Sequence, residues 1–249
     1  MEISDYTYQN QAPTWCPGCG NFFVLQALKK SLMEEEIAPK DAVVTYDIGC
    51  GGNMINVLKV CGFATLHGRS IPVAVGAKKA NPHLTVLAQG GDGGLLNEGA
   101  NHLIHAAQRN DDITVLLHNN LVFALTTGQT SYATPKGLKT KSNPHQGNPY
   151  SPLSALALAA QAGADFLARS YAFNVEKTTQ IIRAAIQHQG FSLVEIIMPC
   201  LIWSKSYDKE YFQNHIFDSH ENLANREQLL SFLTLETEKI PLGIFWNNS

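Results

Sequence analysis

Two stretches decide the fold: Leu84-Thr-Val-Leu-Ala-Gln-Gly-Gly-Asp-Gly-Gly94 and, further on, Ile113-Thr-Val-Leu-Leu-His-Asn-Asn120. Residues 84–88 form an apolar run of strand length, and 90–94 a glycine turn. The Leu- and Ala-bearing segment 95–108 predicts a helix, 113–117 a second buried strand, and Asn119-Asn120 a polar turn. In a parallel α/β unit both turns fall at the carboxyl ends of neighbouring strands, where such sheets bind ligands. Asp92 and Asn120 then face one point. A carboxylate and a side-chain amide are hard oxygen donors that suit Mg²⁺, which keeps positions open for water and phosphate oxygens. Glycines let backbone N–H groups approach a diphosphate at a helix N-terminus. A lone Gly-Asp-Gly is a common turn, but the flanking strands and the second polar turn favour a site.

The chain has 249 residues, 45% of them hydrophobic and 16% charged, with a net charge of −3. That supports a sizeable core and one large α/β domain or two small ones. There is no basic run or aromatic–basic stripe, so nucleic-acid binding has no support. No apolar run approaches the length of a membrane span. Met1-Glu-Ile-Ser-Asp5 lacks the pattern of a secretory signal, and a cytoplasmic location is expected. In that setting the five cysteines point to metal or redox chemistry rather than disulfides.

Taken in order, Trp15-Cys-Pro-Gly-Cys-Gly20 opens a helical pattern carried by Phe22, Phe23, Leu25, Leu28, Leu32 and Met33. Residues 42–48 predict a strand running into Gly49-Cys-Gly-Gly-Asn53. A short helix is expected over 54–60, and a small-residue helix from Pro72. Residues 121–151 form a long polar segment of the kind that makes a lid or binding loop. Ser151-Pro152 predicts the start of a helix to Gln161. Further elements follow: a strand over 165–168, a helix over 175–188, a strand over 192–198, and helical patterns over 209–217 and 226–235. The alternation predicts a doubly wound, mostly parallel sheet. Residues 1–204 are expected to form the binding domain, with 205–249 a helical appendage packed on it.

Cys50 and Cys200 each fall just past a predicted strand, and Cys16 and Cys19 open a helix, so all four can reach the rim that carries Asp92 and Asn120. Four thiolates at one place suit zinc or an iron–sulfur cluster. Zinc ribbons usually bring two Cys-x-x-Cys knuckles, which makes zinc the weaker choice. A thioredoxin-like dithiol would follow a strand, and residues 9–14 do not read as one. Cys61, among apolar neighbours on a helical segment, reads as a buried structural thiol.

The Gly-Asp-Gly to Asn-Asn spacing resembles the thiamine diphosphate (ThDP) motif. With the cysteines, the chain resembles the β subunits of the 2-oxoacid:ferredoxin oxidoreductases. The carrying segments are Trp15-Cys-Pro-Gly-Cys-Gly-Asn21, Asp47-Ile-Gly-Cys50, Leu66-His-Gly-Arg69 with Pro72-Val-Ala-Val-Gly76, and Gly90-Gly-Asp-Gly93 with Asn101-His102. Asn119-Asn120, Leu125-Thr-Thr-Gly-Gln129, Met198-Pro-Cys200 and Ile240-Pro-Leu-Gly-Ile-Phe245 complete them. The resemblance implies a ThDP-binding fold and oxidative decarboxylation of a 2-oxoacid to an acyl-coenzyme A, with electrons passed through a [4Fe–4S] cluster to ferredoxin. It implies Cys16, Cys19, Cys50 and Cys200 as cluster ligands, and Asp92, Asn120 and the Val122 carbonyl as Mg²⁺ ligands. Gly49, Gly51, Gly52, Asn53, Gly91 and Gly93 would lie along the diphosphate. His67, with Gly68 beside it, would stand near the reacting carbon as the catalytic candidate. Arg69 is as readily a structural partner as a substrate contact.

Two positions depart from the family pattern: many relatives carry a second Asp where Gly94 stands and Lys where Thr127 stands. A relative can also carry Lys where Asn53 stands. Fewer cations near the substrate favour a monocarboxylate such as pyruvate over 2-oxoglutarate. ThDP enzymes activate the aminopyrimidine with a Glu from a second domain. Glu98 and Glu195 lack that context, so a partner α subunit is implied. Two rivals remain: half of a non-oxidative ThDP decarboxylase or synthase, and a zinc-stapled binding module without catalysis.

Overall fold

The computed structural model describes residues 1–219, 223–234 and 239–248. Its strands are β1 (Ala42–Tyr46), β2 (Cys61–Ala64), β3 (Thr85–Gly91), β4 (Thr114–Asn119), β5 (Val122–Phe123), β6 (Gln129–Thr130), β7 (Phe166–Tyr171), β8 (Ser192–Ile197), β9 (Ile216–Asp218) and β10 (Ile240–Asn247). Its α-helices are α1 (Gly20–Glu34), α2 (Ser70–Ala80), α3 (Ala100–Gln108), α4 (Ala155–Ala162), α5 (Val175–Gln187), α6 (Lys209–His215) and α7 (Arg226–Thr234). Eight strands make one sheet in the order β2-β1-β3-β4-β8-β7-β10-β9. Pairing is parallel throughout, except that β10 runs antiparallel to β7. The remaining two strands, β5 and β6, form a separate antiparallel hairpin.

The central strands are buried on both faces, and their period-2 alternation feeds two cores. Val43, Val86, Ala88, Val115, Leu117 and Leu193 point to a core shared with α2, α3, α4 and α7. Val44, Leu87, Leu116, Val194 and Ile196 point to the other, shared with α1 and α5. This is the expected doubly wound sheet. From β1 the chain steps outward to β2, then returns to the other side of β1 as β3. The carboxyl ends of β1 and β3 therefore flank a topological switch point, the crevice in which open α/β sheets bind ligands.

Several local expectations are corrected. The helix expected over 95–108 is one turn of π-helix, Gly93–Glu98, then α3. Gly99 separates them because it packs on Gly68: a Cβ there would stand 2.8 Å from the Gly68 carbonyl oxygen. The helix expected over 54–60 is a 3₁₀ segment, Gly51–Asn56. α4 is capped by Ser154, whose Oγ accepts the Ala157 N–H at 3.2 Å; the chain just before it is tied to the loop by the Leu153 N–H on the Tyr132 carbonyl. Cys61 is exposed and extended, because β2 is an edge strand whose four residues are all exposed. Residues 205–249 are more than a helical appendage. The pattern over 209–217 ends at His215, and Ile216–Asp218 pairs with Ile240–Leu242 in the sheet. The pattern over 226–235 is helical through Thr234, with Leu235 outside the described residues.

Candidate active site

A pocket opens at the β1/β3 switch point. Ile48, Gly49, Cys50 and Gly51 line it from the end of β1, and Gly91 to Gly94 from the end of β3. His118, Asn120, Val122 and Phe123 close it from β4 and β5, with His67 and Met198. The structure thus brings together Gly49, Gly51, His67, Gly91, Asp92, Gly93, Asn120 and Val122. Gly52, Asn53 and Gly68 stand behind the lining. A Cβ on Gly52 would lie 2.0 Å from the Asp47 carbonyl oxygen, and Asn53 Nδ2 instead donates to Thr14 Oγ1 at 3.0 Å. Gly68, at φ +71°, abuts Glu98. Two glycines leave room on the pocket wall: a Cβ on Gly49 would meet nothing within 4 Å, and one on Gly91 only the His118 carbonyl oxygen at 3.9 Å. Gly93 is glycine because the Phe123 ring would be 2.5 Å from its Cβ.

Asp92 is fully buried. Its Oδ1 accepts the Asn120 N–H at 3.2 Å, and its Oδ2 accepts the Ser131 hydroxyl. Burial pushes its carboxyl up to about 7 against the pull of those donors. Asn120 Oδ1 in turn accepts the Val122 N–H at 3.2 Å across a turn whose Leu121 has φ +70°. That left-handed conformation is uncommon for a branched residue and gathers at functional sites. A hydrogen bond between Asn119 Nδ2 and Glu195 Oε1 (2.7 Å) holds the turn from beneath, and Arg169 pairs with Glu195 at 2.7 Å. Glu195 is thus structural. A fully buried carboxylate, a side-chain amide and a nearby carbonyl, beside a glycine cradle, fit Mg²⁺ and a diphosphate.

The segment 121–151 folds back on itself. Thr134 Oγ1 donates to the Leu121 carbonyl, Asn148 Nδ2 donates to the Thr134 carbonyl at 2.7 Å, and Thr130 Oγ1 bonds Thr140 Oγ1 at 2.6 Å. This fold-back delivers Ser131 to Asp92, a contact between residues distant in sequence.

The four cysteines gather at the same end of the sheet. Burial first, then the charges of Cys19, Cys200 and Cys16, push the Cys50 thiol up to about 11. Burial likewise raises Cys19, whose sulfur accepts from Asn21 Nδ2 at 3.6 Å. Trp15 Nε1 donates to the Cys50 carbonyl at 2.6 Å. Cys200 is tied to the Asn120 turn through Ser204, whose Oγ accepts the Cys200 N–H at 3.0 Å and donates to the Asn120 carbonyl at 3.4 Å. Asp92 and Cys200 therefore share one rim. All four thiols are free. Among the described residues, no three of His, Cys, Asp or Glu close on a point that would hold a single metal ion. Four thiols whose charges reach one another at Cys50 are the donor type that iron–sulfur clusters use.

Sequence reasoning assigned no role to three residues near this pocket. His118 is buried at the end of β4; its Nδ1 meets Asn21 Oδ1 at 3.0 Å, its Nε2 has no partner, and burial drives it down to about 4. Ser131 binds Asp92. Asp47 binds His67, whose ring packs edge-on against Phe123. The visible signal was weak: each is a polar residue at or just past a strand end. Arg69 contacts His102, as a structural partner would.

A mostly parallel sheet with a glycine-walled pocket and a buried Asp–Asn pair at neighbouring strand ends is the arrangement of a ThDP-binding domain. The family described as "Thiamine pyrophosphate enzyme, C-terminal TPP binding domain" matches residues 46–196. The chain is 36% identical over 249 aligned residues to the 2-oxoacid:ferredoxin oxidoreductase subunit beta of Saccharolobus solfataricus, covering 94% of this chain and 81% of that one. It is 38% identical to the 2-oxoglutarate synthase subunit KorB of Archaeoglobus fulgidus over 80% of this chain and 74% of the other. The solved 2-oxoglutarate:ferredoxin oxidoreductase from Magnetococcus marinus, with 2-oxoglutarate, coenzyme A and succinyl-CoA bound, superposes with a TM-score of 0.95 at 27% identity, over 100% of this chain and 86% of that one. The chain belongs to the 2-oxoacid:ferredoxin oxidoreductase β-subunit family.

Proposed function

We propose that this chain is the ThDP- and cluster-bearing subunit of an enzyme that oxidatively decarboxylates a 2-oxoacid to an acyl-coenzyme A and reduces ferredoxin. The observation that carries this reading is the meeting of Cys50, Asp92 and Asn120 at one switch-point pocket, with Cys16, Cys19 and Cys200 around Cys50. Asp92, Asn120 and the Val122 carbonyl would hold Mg²⁺, and Gly49, Gly51, Gly91 and Gly93 would receive the diphosphate. Cys16, Cys19, Cys50 and Cys200 would hold a [4Fe–4S] cluster. When bound, ThDP supplies the electron sink for loss of CO₂, and the cluster supplies one-electron transfer. Phe123, Leu125 and Met198 make the wall apolar, which excludes water and strengthens electrostatic interactions within the pocket.

A partner α subunit completes the site. The pocket lining offers no glutamate to face a pyrimidine ring. Ile48 and Leu125 at the pocket, with Phe63 and Leu66 on and just past the edge strand, are exposed. A run of bare apolar residues of this kind marks an interaction surface. Among the described residues no helix is long and apolar enough to cross a membrane. Five free thiols suit a reducing compartment, and we place the protein in the cytoplasm.

For the substrate we favour pyruvate, because Asn53 is turned to Thr14 and neither Lys nor Arg is among the residues that line the pocket. One observation supports 2-oxoglutarate: Lys141 Nζ donates to Thr127 Oγ1 at 2.7 Å, close to Leu125 and Thr126 of the lining. That ammonium is a cation a second carboxylate could use. The test is anaerobic co-production with the α subunit, followed by measurement of iron, sulfide and ThDP and of coenzyme A-dependent ferredoxin reduction with each 2-oxoacid. The proposal expects about four irons per β subunit, from one [4Fe–4S] cluster, and turnover of pyruvate. Protein without iron or ThDP uptake refutes it. Turnover of 2-oxoglutarate that Lys141→Met abolishes would favour the second substrate.

A further inference from the structure

Asp47 is the first residue past β1, and its side chain is wholly buried. Isolated burial of a carboxylate is costly, so its surroundings must be arranged for it. Two glycines leave it room. A Cβ on Gly94 would lie 1.5 Å from Asp47 Oδ2, and a Cβ on Gly90 would lie 2.9 Å from the Asp47 Cβ. The Gly68 N–H donates to Oδ1 at 2.7 Å, and His67 Nδ1 lies 3.2 Å from both carboxylate oxygens. His67 and Gly94 both line the pocket, and His67 is the member of this group that offers it a titratable side chain.

The 1.5 Å overlap means that the Asp47 carboxylate and any side chain at position 94 exclude each other. The space beside His67 can be filled from the end of β1 or from the turn after β3, not from both. We infer that Asp47 is a positioning residue whose carboxylate, reaching in from the neighbouring strand, fills the place beside His67 that a side chain at position 94 would otherwise fill.

In this arrangement the Asp47 carboxylate oxygens are placed to accept from Nδ1–H of His67. That fixes the tautomer and leaves Nε2 as the free ring nitrogen in the pocket. Phe123, edge-on at 5.8 Å, holds the ring from another side. The inference rests on the proposed ThDP chemistry only for the use of His67. The exchange of Asp47 with position 94 stands on packing alone.

The test compares wild type, Asp47→Gly, Gly94→Asp, the double swap and Asp47→Asn, each assembled with the α subunit. Gly94→Asp should lower Tm most, since two carboxylates then contend for one place. Asp47→Gly should lower turnover by about tenfold or more. The double swap should recover both Tm and turnover towards wild type, a non-additivity expected only of side chains sharing one space. A double swap as poor as the sum of its parts overturns the inference. Asp47→Asn keeps the shape, so it should lower kcat with little change in the 2-oxoacid KM, and should shift the ¹⁵N resonances of the His67 ring. Unmoved resonances overturn the inference even if the swap fails to assemble. If wild type oxidises no 2-oxoacid, the proposed function fails, while the Tm cycle and the ring resonances still decide the place of Asp47.

Discussion

Replacing Asp92 with Asn should stabilise the cofactor-free protein at alkaline pH while abolishing its binding of ThDP and Mg²⁺. Asp92 is fully buried and its carboxyl sits at about 7 instead of 3.8, with burial the main cause. A folded value above the unfolded one means the native state holds this proton more tightly than the unfolded chain does. Native stability from this group is therefore unreduced below the unfolded value, falls as pH rises through the window from 3.8 to about 7, and is fully reduced above it. Three units correspond to up to about 4 kcal/mol. Asn has nearly the same shape and carries no charge. Its Oδ1 can take the Asn120 N–H, and the Ser131 hydroxyl can rotate to accept from its Nδ2. If half of the penalty is relieved, about 2 kcal/mol, Tm rises by roughly 4–8 °C at this chain length. The assay is thermal unfolding of the chain in chelator from pH 4 to 8, with ThDP·Mg²⁺ binding by calorimetry alongside. The variant should gain little at pH 4 and most at pH 8, and should show no binding heat. Equal Tm at pH 8, or a gain that is flat with pH, refutes the claim that Asp92 holds a costly buried charge.

Three further outcomes follow. Cys50→Ala, in protein assembled anaerobically with the α subunit, should lose most of its iron and its visible absorbance; iron equal to wild type removes Cys50 from the ligand set. Gly52→Ala would place its Cβ 2.0 Å from the Asp47 carbonyl, a backbone atom that cannot rotate away. It should cost about 1–3 kcal/mol of stability on overpacking grounds, and an unchanged urea midpoint would contradict the close approach. Phe63→Glu on the exposed edge strand should leave the fold intact but weaken assembly with the α subunit. Sedimentation showing the complex undiminished would place the interface elsewhere.

The sheet was legible because its central strands carry unbroken apolar runs and its turns carry glycine. Because β1, β3, β4 and β8 are apolar on both faces, both sides of the sheet must be covered by helices. The site was legible only where a local pattern announced it, at Asp92, Asn120 and the cysteines. Ser131 was hidden because its contact with Asp92 depends on how a long polar segment folds back. Asp47 was hidden because its partners, Gly94 and His67, lie on different connections. His118 reads as one more strand residue until its burial is seen. β10 was missed because Pro241 and Gly243 are strand breakers in sequence; the structure tolerates them with Gly243 at φ +145° and a bulge between Ile244 and Trp246. Cys61 was misplaced because its apolar neighbours suit a helix and a strand alike.

The four residues of β2 have a practical consequence. Their outer backbone groups are open to any passing extended chain, and Cys61 presents a thiol in their midst. Produced alone and in air, the subunit has both a sticky margin and a handle for cross-linking. Loss of soluble material would then begin at this border, one strand out from β1 and the cleft at its end, and co-production or a Cys61→Ser change would be the remedy.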